Sequence, residues 1–176
     1  MELPLPLIYC VLFVLAIYFL APSLLKQPEP IAMSGPVSPI TSLADFDALL
    51  SANRLVLADF YADWCGPCRA VAPLYGKLAE ANAQPGRLAF AKVNVDAAQD
   101  VARRYGVSAM PTFLFFAEGE RTALPVPGVA GGGAQVNAEG AVAAIRGADA
   151  RALTAVANAL GELARKSAPE GEQKAD

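Results

Sequence analysis

Two cysteines separated by two residues form the part of the chain best suited to chemistry. Cys65 and Cys68 enclose Gly66 and Pro67, and the apolar run before them is typical of a strand buried on both faces. The composition after Cys68 favours a helix, so the pair is expected at a strand-to-helix junction. A thiol there faces unpaired backbone N–H groups and the positive end of the helix dipole, which favour its thiolate. We expect Cys65 to be the nucleophile and Cys68, one turn on, to resolve a mixed disulfide.

Two other uses of a Cys-x-x-Cys pair have to be weighed. A structural zinc site needs four cysteine or histidine ligands, and the chain has no histidine and 3 cysteines, so no metal is expected. A purely structural disulfide would close a two-residue loop and gain little stability from closure. The favoured interpretation is a redox-active Cys65–Cys68 disulfide.

One carboxylate in the preceding strand is a candidate for proton transfer. Asp59 lies in an otherwise apolar run six residues before Cys65, where burial should raise its pKa toward neutrality. Such an acid can serve as the base that deprotonates Cys68. The alternative is an exposed acid on an edge strand.

The segment from Asp59 to Cys68, Asp-Phe-Tyr-Ala-Asp-Trp-Cys-Gly-Pro-Cys, resembles the active-site segment of the thioredoxin family. The resemblance covers about Thr41 to Arg165 and implies an α/β fold with a central mixed β-sheet flanked by helices. It implies a protein-disulfide reductase, because Gly-Pro between the cysteines matches the reducing members of the family, in contrast to Gly-His in the oxidising and isomerising ones. The implied partners are disulfide-containing proteins and a recycling reductase, and no cofactor is implied.

The same resemblance suggests roles for residues around the cysteines. Trp64, with the Gly-Pro pair, would shape the exposed turn. Lys92, in a strand expected over 88–95, would lie near Asp59 and lower its pKa against the effect of burial. Otherwise Lys92 is an ordinary strand residue whose ammonium reaches solvent.

A second loop, Ala109-Met110-Pro111-Thr112-Phe113, resembles the loop that faces the cysteine pair in the family. The family's proline is cis, and Pro111 would then lie against the sulfurs. The Met110 backbone would be free to pair with an extended substrate segment, and Thr112 would belong to the same substrate-binding surface. A trans proline that leads a strand is the alternative.

The spacing of apolar residues and the positions of glycine and proline predict the remaining elements of the domain at 41–166. Pro73 should kink or break the helix that follows the cysteines. The Gly/Ala/Pro-rich stretch at about 122–140 departs from the family pattern and is expected to be a flexible, enlarged hairpin loop. The other expected elements are a helix from Ser42 to about Asn53, a helix from Asp96 to Tyr105, a strand Thr112–Ala117, an edge strand Ala141–Ile145, and a helix from Asp149 to about Lys166 that buries Leu153, Val156, Leu160 and Leu163.

The N-terminal region is predicted to contain a membrane anchor followed by a linker. Residues 3–25 carry no charge and could span a bilayer as one helix, so 1–26 is expected to be a single-pass membrane anchor. A cleaved signal peptide is the rival, although it lacks a basic start and Ala21 is followed by Pro22. Cys10 falls within this span and cannot belong to the redox pair. A Pro-rich linker is expected over 27–40 and a polar tail over 167–176.

Charge and topology leave some functions open and exclude others. The formal charge of −3 and the lack of a basic run make a nucleic-acid partner unexpected. Lys26 after the span slightly favours a catalytic domain in the cytosol, with the secretory lumen as the alternative. A lumenal disulfide isomerase or oxidase and a non-catalytic thioredoxin-like adaptor at the membrane are the two rival functions.

Overall fold

The computed structural model describes residues 35–166 and, before them, only Tyr9 and Leu15. The chain divides into a unit of residues 1–30 and a unit of residues 31–176, and the elements below belong to the second. They follow in the order β1 Val37–Ile40, α1 Leu43–Ala52, β2 Leu55–Tyr61, α2 Gly66–Asn82, β3 Leu88–Asn94, α3 Gln99–Arg104, β4 Thr112–Ala117, β5 Glu120–Thr122, β6 Ala134–Val136, β7 Val142–Arg146 and α4 Ala150–Lys166.

The anchor expected over 1–26 and the tail expected over 167–176 lie outside the described residues, apart from Tyr9 and Leu15. Among the residues that the structure describes, no helix has the length and apolar character needed to cross a membrane.

The strands form one mixed sheet in the order β1-β3-β2-β4-β7-β6, with β5 also paired to β4. β1 and β2 run parallel to β3, whereas β4, β5, β6 and β7 pair antiparallel. The strand β2 therefore lies inside the sheet, between β3 and β4. This α/β architecture confirms the fold expected from the sequence.

Two apolar clusters, one on each face of the sheet, hold the helices in place. On one face, α2 and α4 pack over the odd-numbered side chains of β4, such as Phe113 and Phe115. On the other, α1 and α3 cover Leu114 and Phe116. The near-continuous apolar run of β2 follows directly from this layering, since a strand covered on both faces has no side for polar residues.

The packing of α2 against α4 depends on one small residue. Gly161 of α4 faces Asn82 at the end of α2, and a Cβ at position 161 would collide with the Asn82 side chain. The predicted buried positions of α4 are right for Leu153, Val156 and Leu160, but Leu163 is 42% exposed. The apolar face of α4 is completed by alanine and Gly161 rather than by a fourth leucine.

Short sequence patterns predicted the positions of α1 and α2. The Ser42 hydroxyl caps α1 by accepting a hydrogen bond from the Asp45 N–H at 3.1 Å. Helix α2 continues through Pro73 as a single element, so the alternative that Pro73 ends one helix and begins another is wrong.

The Pro-rich linker expected over 27–40 overlaps the sheet. Val37–Ile40 is the strand β1, and it pairs with β3 through a register that places Pro39 opposite Lys92. Because β1 lies at the edge of the sheet, a proline that cannot donate a hydrogen bond is tolerated there.

The expected edge strand is also displaced. β7 is not the edge of the sheet, because the insertion at 122–140 contributes β6, which pairs with β7. A further bridge joins Leu124 to Val142, and the buried side chains of Leu124 and Ala134 pack into the core. The insertion is thus partly built into the sheet, and the expectation of a simple enlarged loop is wrong.

Candidate active site

The cysteine pair lies at the junction of β2 and α2, as predicted. Cys65 is the N-cap of α2, and its Sγ accepts a hydrogen bond from the Cys68 N–H at 3.2 Å. The two sulfurs form a disulfide, and only 5% of Cys65 and 1% of Cys68 are exposed. A thiolate on Cys65 would meet the same N–H group and the positive end of the helix dipole. Gly66 and Pro67 form the exposed first turn of the helix.

The carboxyl of Asp59 is enclosed in the middle of the sheet. Asp59 is 0% exposed, on β2 between Lys92 of β3 and Phe113 of β4, so an exposed position on an edge strand is excluded. Within the described chain, neither carboxyl oxygen has a hydrogen-bond partner. Burial raises the pKa of Asp59 to about 7, and the positive charge of Lys92 opposes that rise. Asp59 can therefore hold or release a proton near neutral pH.

Lys92 is buried beside this acid rather than extended to solvent. Its side chain is 4% exposed, and its Nζ lies 4.2 Å from the centre of the Tyr61 ring. Burial lowers the pKa of Lys92, whereas Asp59 and Asp63 raise it. Since Asp59 has no hydrogen-bond partner in the described residues, Lys92 acts on it through charge at a distance. The cation–π contact with Tyr61 holds the ammonium in place.

Tyr75 of α2 lies close enough to Asp59 to sense its charge, and sequence reasoning missed it. The Tyr75 hydroxyl lies 2.7 Å from the Leu57 carbonyl oxygen and 2.8 Å from that of Ala91, so it links β2 to β3. Burial raises the pKa of Tyr75 well above its ordinary value, and the charge of Asp59 adds to the rise. Tyr75 thus stays protonated and fixes α2 against the strand that carries Asp59.

The loop before β4 lies against the cysteines. The Met110–Pro111 peptide bond is cis, as the family resemblance implied, and Met110 packs against the cluster that contains Cys65 and Cys68. The Thr112 hydroxyl donates a hydrogen bond to the Ala109 carbonyl oxygen at 2.8 Å. The Gly147 N–H donates one to the Pro111 carbonyl oxygen, also at 2.8 Å. The start of the last β–α connection therefore holds this loop, a contact that the sequence did not reveal.

Trp64 is the largest exposed apolar side chain beside the disulfide. It is 60% exposed, and its indole N–H donates a hydrogen bond to Asp96 Oδ2 at 2.8 Å. Asn94 continues the network, since its side-chain Nδ2 donates to Asp63 Oδ2 at 2.9 Å and its side-chain Oδ1 accepts from the Asp96 N–H at 3.0 Å. These contacts fix the indole in one orientation. Neither Asn94 nor Asp96 was singled out from the sequence.

The geometry defines a class of protein. A disulfide at the N-terminus of a helix, preceded by a strand with a buried acid whose pKa is about 7 and packed against a cis-proline loop, is suited to exchanging dithiol for disulfide. Among the described residues, no group of three or more histidine, cysteine or acidic side chains could hold a metal ion. The fold and the site together are those of a thiol–disulfide oxidoreductase.

Comparisons with known proteins place the chain in a family. The family model for thioredoxin matches residues 37–132. A thioredoxin from Neurospora crassa is 47% identical over 136 residues, which cover 77% of this chain and 95% of that protein. A thioredoxin-like protein from Fusarium culmorum is 48% identical over 127 residues, covering 72% and 93%. The chain belongs to the thioredoxin family.

The crystal structure of Malassezia sympodialis thioredoxin agrees with this assignment. It superposes with a TM-score of 0.55 at 27% identity, over 77% of this chain and 99% of that one. Membership in the family supports dithiol–disulfide exchange, since thioredoxins act on disulfide substrates and are recycled by reductases. The individual roles expected for Cys65, Cys68 and Asp59 remain predictions.

Proposed function

We propose that this chain is a protein-disulfide reductase that transfers two electrons from the Cys65/Cys68 dithiol to a substrate disulfide. The observation that carries the proposal is the position of Cys65 at the N-cap of α2, with Cys68 one turn behind and almost fully buried. Cys65 is the more exposed of the two residues, so we assign it the attack on the substrate and assign Cys68 the attack on the mixed disulfide.

The reaction has two exchanges. The Cys65 thiolate attacks one sulfur of the substrate disulfide, and the other substrate sulfur leaves as a thiolate. Cys68 then loses its proton and attacks Cys65 Sγ, which releases the second substrate sulfur. The substrate has gained two electrons, and the chain is left with the Cys65–Cys68 disulfide seen in the structure.

Asp59 is the proposed acceptor of the Cys68 proton. A base must be unprotonated and close in pKa to the working pH, and a carboxyl that titrates at about 7 satisfies both conditions. Lys92 keeps that value from rising further, because its charge favours the ionised carboxylate. The proton passes on to the released substrate thiolate or to water.

The proposed substrate surface surrounds Cys65. Met110 is partly exposed at the cis-proline loop, and its backbone would pair with an extended substrate segment. Pro111 and Thr112 are buried and support that loop. The indole of Trp64, the residue before Cys65, provides further exposed apolar area.

Trapping the mixed disulfide tests this assignment. Cys68→Ser should accumulate a stable covalent complex with a protein disulfide such as insulin, whereas Cys65→Ser should form none. Both variants should lose multiple-turnover reduction. Reduction of insulin by the intact pair with dithiothreitol, but no complex with Cys68→Ser, would contradict the assigned order of the two sulfurs. An intact pair that fails with every reductant would favour an adaptor.

We propose further that residues 3–25 tether the domain to a membrane as a single span with the domain on the cytosolic side. The uncharged length of this segment supports the tether, and Lys26 supports the orientation. A glycosylation acceptor placed in the polar tail should remain unmodified in intact cells, and protease should digest the domain in unpermeabilised microsomes. Glycosylation of the tail would favour the lumenal isomerase or oxidase.

A further inference from the structure

Two arginines that belong to neither the disulfide nor the core line one cleft beside β4. Along one edge of β4, β7 pairs with its start and β5 with its end. Arg146 of β7 is opposite Thr112, and Arg121 of β5 is opposite Phe116. Opposed residues of an antiparallel pair point to the same face, and so do residues four apart along a strand. Both arginines therefore lie on the face that carries α1 and α3.

These arginines line a narrow cleft on that face. Its volume is about 30 Å³, and its wall includes Tyr105, Ser108 and Thr112. That is room for one or two waters, far below the several hundred Å³ of a small-molecule pocket. A cleft of this size can admit the end of a side chain but not a cofactor. Because Thr112 follows Pro111, the cleft begins where the proposed substrate surface ends.

The charges in the cleft are unbalanced. In the described part of the chain, neither Arg121 nor Arg146 forms an ion pair, whereas Arg54, Arg104 and Arg165 each pair with a carboxylate. The chain as a whole has a formal charge of −3, so two exposed cations that line one cleft are a local excess of positive charge. The acids whose charges reach Tyr105 are Asp47 and Glu120, and Asp47 is already paired with Arg104.

The insertion holds one of these arginines in position. The Arg146 N–H donates a hydrogen bond to the Gly133 carbonyl oxygen at 2.8 Å, and the Gly133 N–H donates to Asp149 Oδ2 at 3.0 Å. The next residue, Gly147, donates to the Pro111 carbonyl oxygen. The backbone of Arg146 is thus fixed between the insertion and the cis-proline loop.

We propose that Arg121 and Arg146 form an anion-recognition site for an acidic segment of the substrate polypeptide, next to the disulfide that Cys65 attacks. The inference rests on the proposed reductase function and adds a substrate preference to it. A substrate strand that pairs with the Met110 backbone would place side chains a few residues from its cysteine over the cleft. Glutamate or aspartate there would meet two guanidinium groups that lack another partner.

The test measures how fast the full chain, in detergent, reduces a set of disulfide peptides. A peptide series carries one glutamate at each position from four residues before the reacting cysteine to four after it, and a second series carries glutamine. In the wild type, kcat/KM should favour glutamate over glutamine by about 3- to 10-fold at positions on one side of the cysteine, as expected for exposed charge pairs. The preference should shrink in 0.5 M NaCl because salt screens exposed charges.

Matched double variants locate the effect. Arg121→Gln/Arg146→Gln should lower the glutamate-to-glutamine ratio to about 1 at the favoured positions. Arg54→Gln/Arg165→Gln also removes two positive charges, at residues that pair with Glu118 and Glu162 and do not line the cleft, and it should keep the ratio of the wild type. An equal ratio in the wild type at every position, or an equal loss in both double variants, would overturn the proposal. A wild type that reduces neither series would instead refute the reductase function.

Discussion

A single buried carboxyl accounts for much of the chemistry expected here. Asp59 has no hydrogen-bond partner within the described residues, and its pKa of about 7 reflects burial opposed by the charge of Lys92. The motif around Cys65 made both residues candidates from the sequence alone. It could not supply Tyr75, whose two carbonyl contacts join strands that are distant in sequence. Nor could it show that Lys92 is held by the ring of Tyr61.

The raised pKa of Asp59 predicts how stability depends on pH. In the unfolded chain the carboxyl titrates near 3.8, and in the fold near 7, so the folded state holds the extra proton between these values. The contribution of Asp59 to the free energy of unfolding is therefore greatest below about pH 4 and decreases as pH rises through 7. Asp59→Asn should increase that free energy at pH 8 by about 1–4 kcal/mol, and by much less at pH 4.5.

Urea denaturation of the oxidised protein at the two pH values measures this difference. Glu139→Gln, which replaces an exposed acid in the insertion, is the control and should change stability little at either pH. An Asp59→Asn effect of the same size at pH 4.5 and pH 8 would show that the carboxyl does not titrate as described.

Lys92 should set the protonation of Asp59 through its charge. Lys92→Met keeps much of the buried stem and removes the ammonium, so the pKa of Asp59 should rise. The ¹³Cγ shift of Asp59 followed by NMR against pH reports this directly. Lys77→Met removes an exposed lysine from α2 and should leave the titration in place. A Lys92→Met titration that is unchanged or moves to lower pH would refute the coupling.

At the scale of elements, the helices and strands that could be predicted from the sequence are those determined by neighbouring residues. Ser42 caps α1 three residues before Asp45, and the apolar run of β2 reflects burial on both faces. β1 and β6 were missed because their strand character comes from distant partners. Val37–Ile40 contains a proline, and Ala134–Val136 is short and follows three glycines. Pairing with β3 and with β7, respectively, overrides these weak local preferences.

Asp149 connects the insertion to α4, so its loss should affect both. Its Oδ1 accepts from the Ala152 N–H and its Oδ2 from the Gly133 N–H, each at 3.0 Å. Asp149→Ala should lower the free energy of unfolding by about 1–3 kcal/mol, the sum expected for a lost cap and a lost charge-assisted hydrogen bond. Amide hydrogen exchange should accelerate at Gly133 as well as at Ala152.

Thr154→Val provides the comparison within the same helix. The Thr154 hydroxyl only bonds back to the Ala150 carbonyl oxygen, so this change should leave the Gly133 amide protected. Unchanged Gly133 exchange in Asp149→Ala would mean that the insertion is held by other contacts.

At the scale of the whole molecule, the domain is expected to be self-sufficient. Residues 31–176 form one compact unit, and the core clusters draw on every strand except β5. The sequence predicted one such domain after position 40. It placed the start a few residues too late, because β1 was hidden in a Pro-rich stretch.

A fragment of residues 31–176 should therefore fold and work alone. It should unfold in one cooperative transition in urea and reduce a small disulfide peptide within about 2-fold of the full chain in detergent. A fragment that begins at residue 41 is the informative comparison, since it lacks β1 and should be less stable. If the longer fragment fails to fold, the unit of residues 1–30 must contribute to the stability of the domain.

The most direct test of the account is the reactivity of the two sulfurs against pH. After reduction, alkylation with iodoacetamide at pH 6 and peptide mass spectrometry should find Cys65 labelled first, at least about 10-fold faster than an unstructured peptide thiol. Cys68 should react slowly, in keeping with its 1% exposure. Labelling of Cys65 no faster than the peptide, or after Cys68, would contradict the claim that the N-terminus of α2 stabilises a reactive thiolate at position 65.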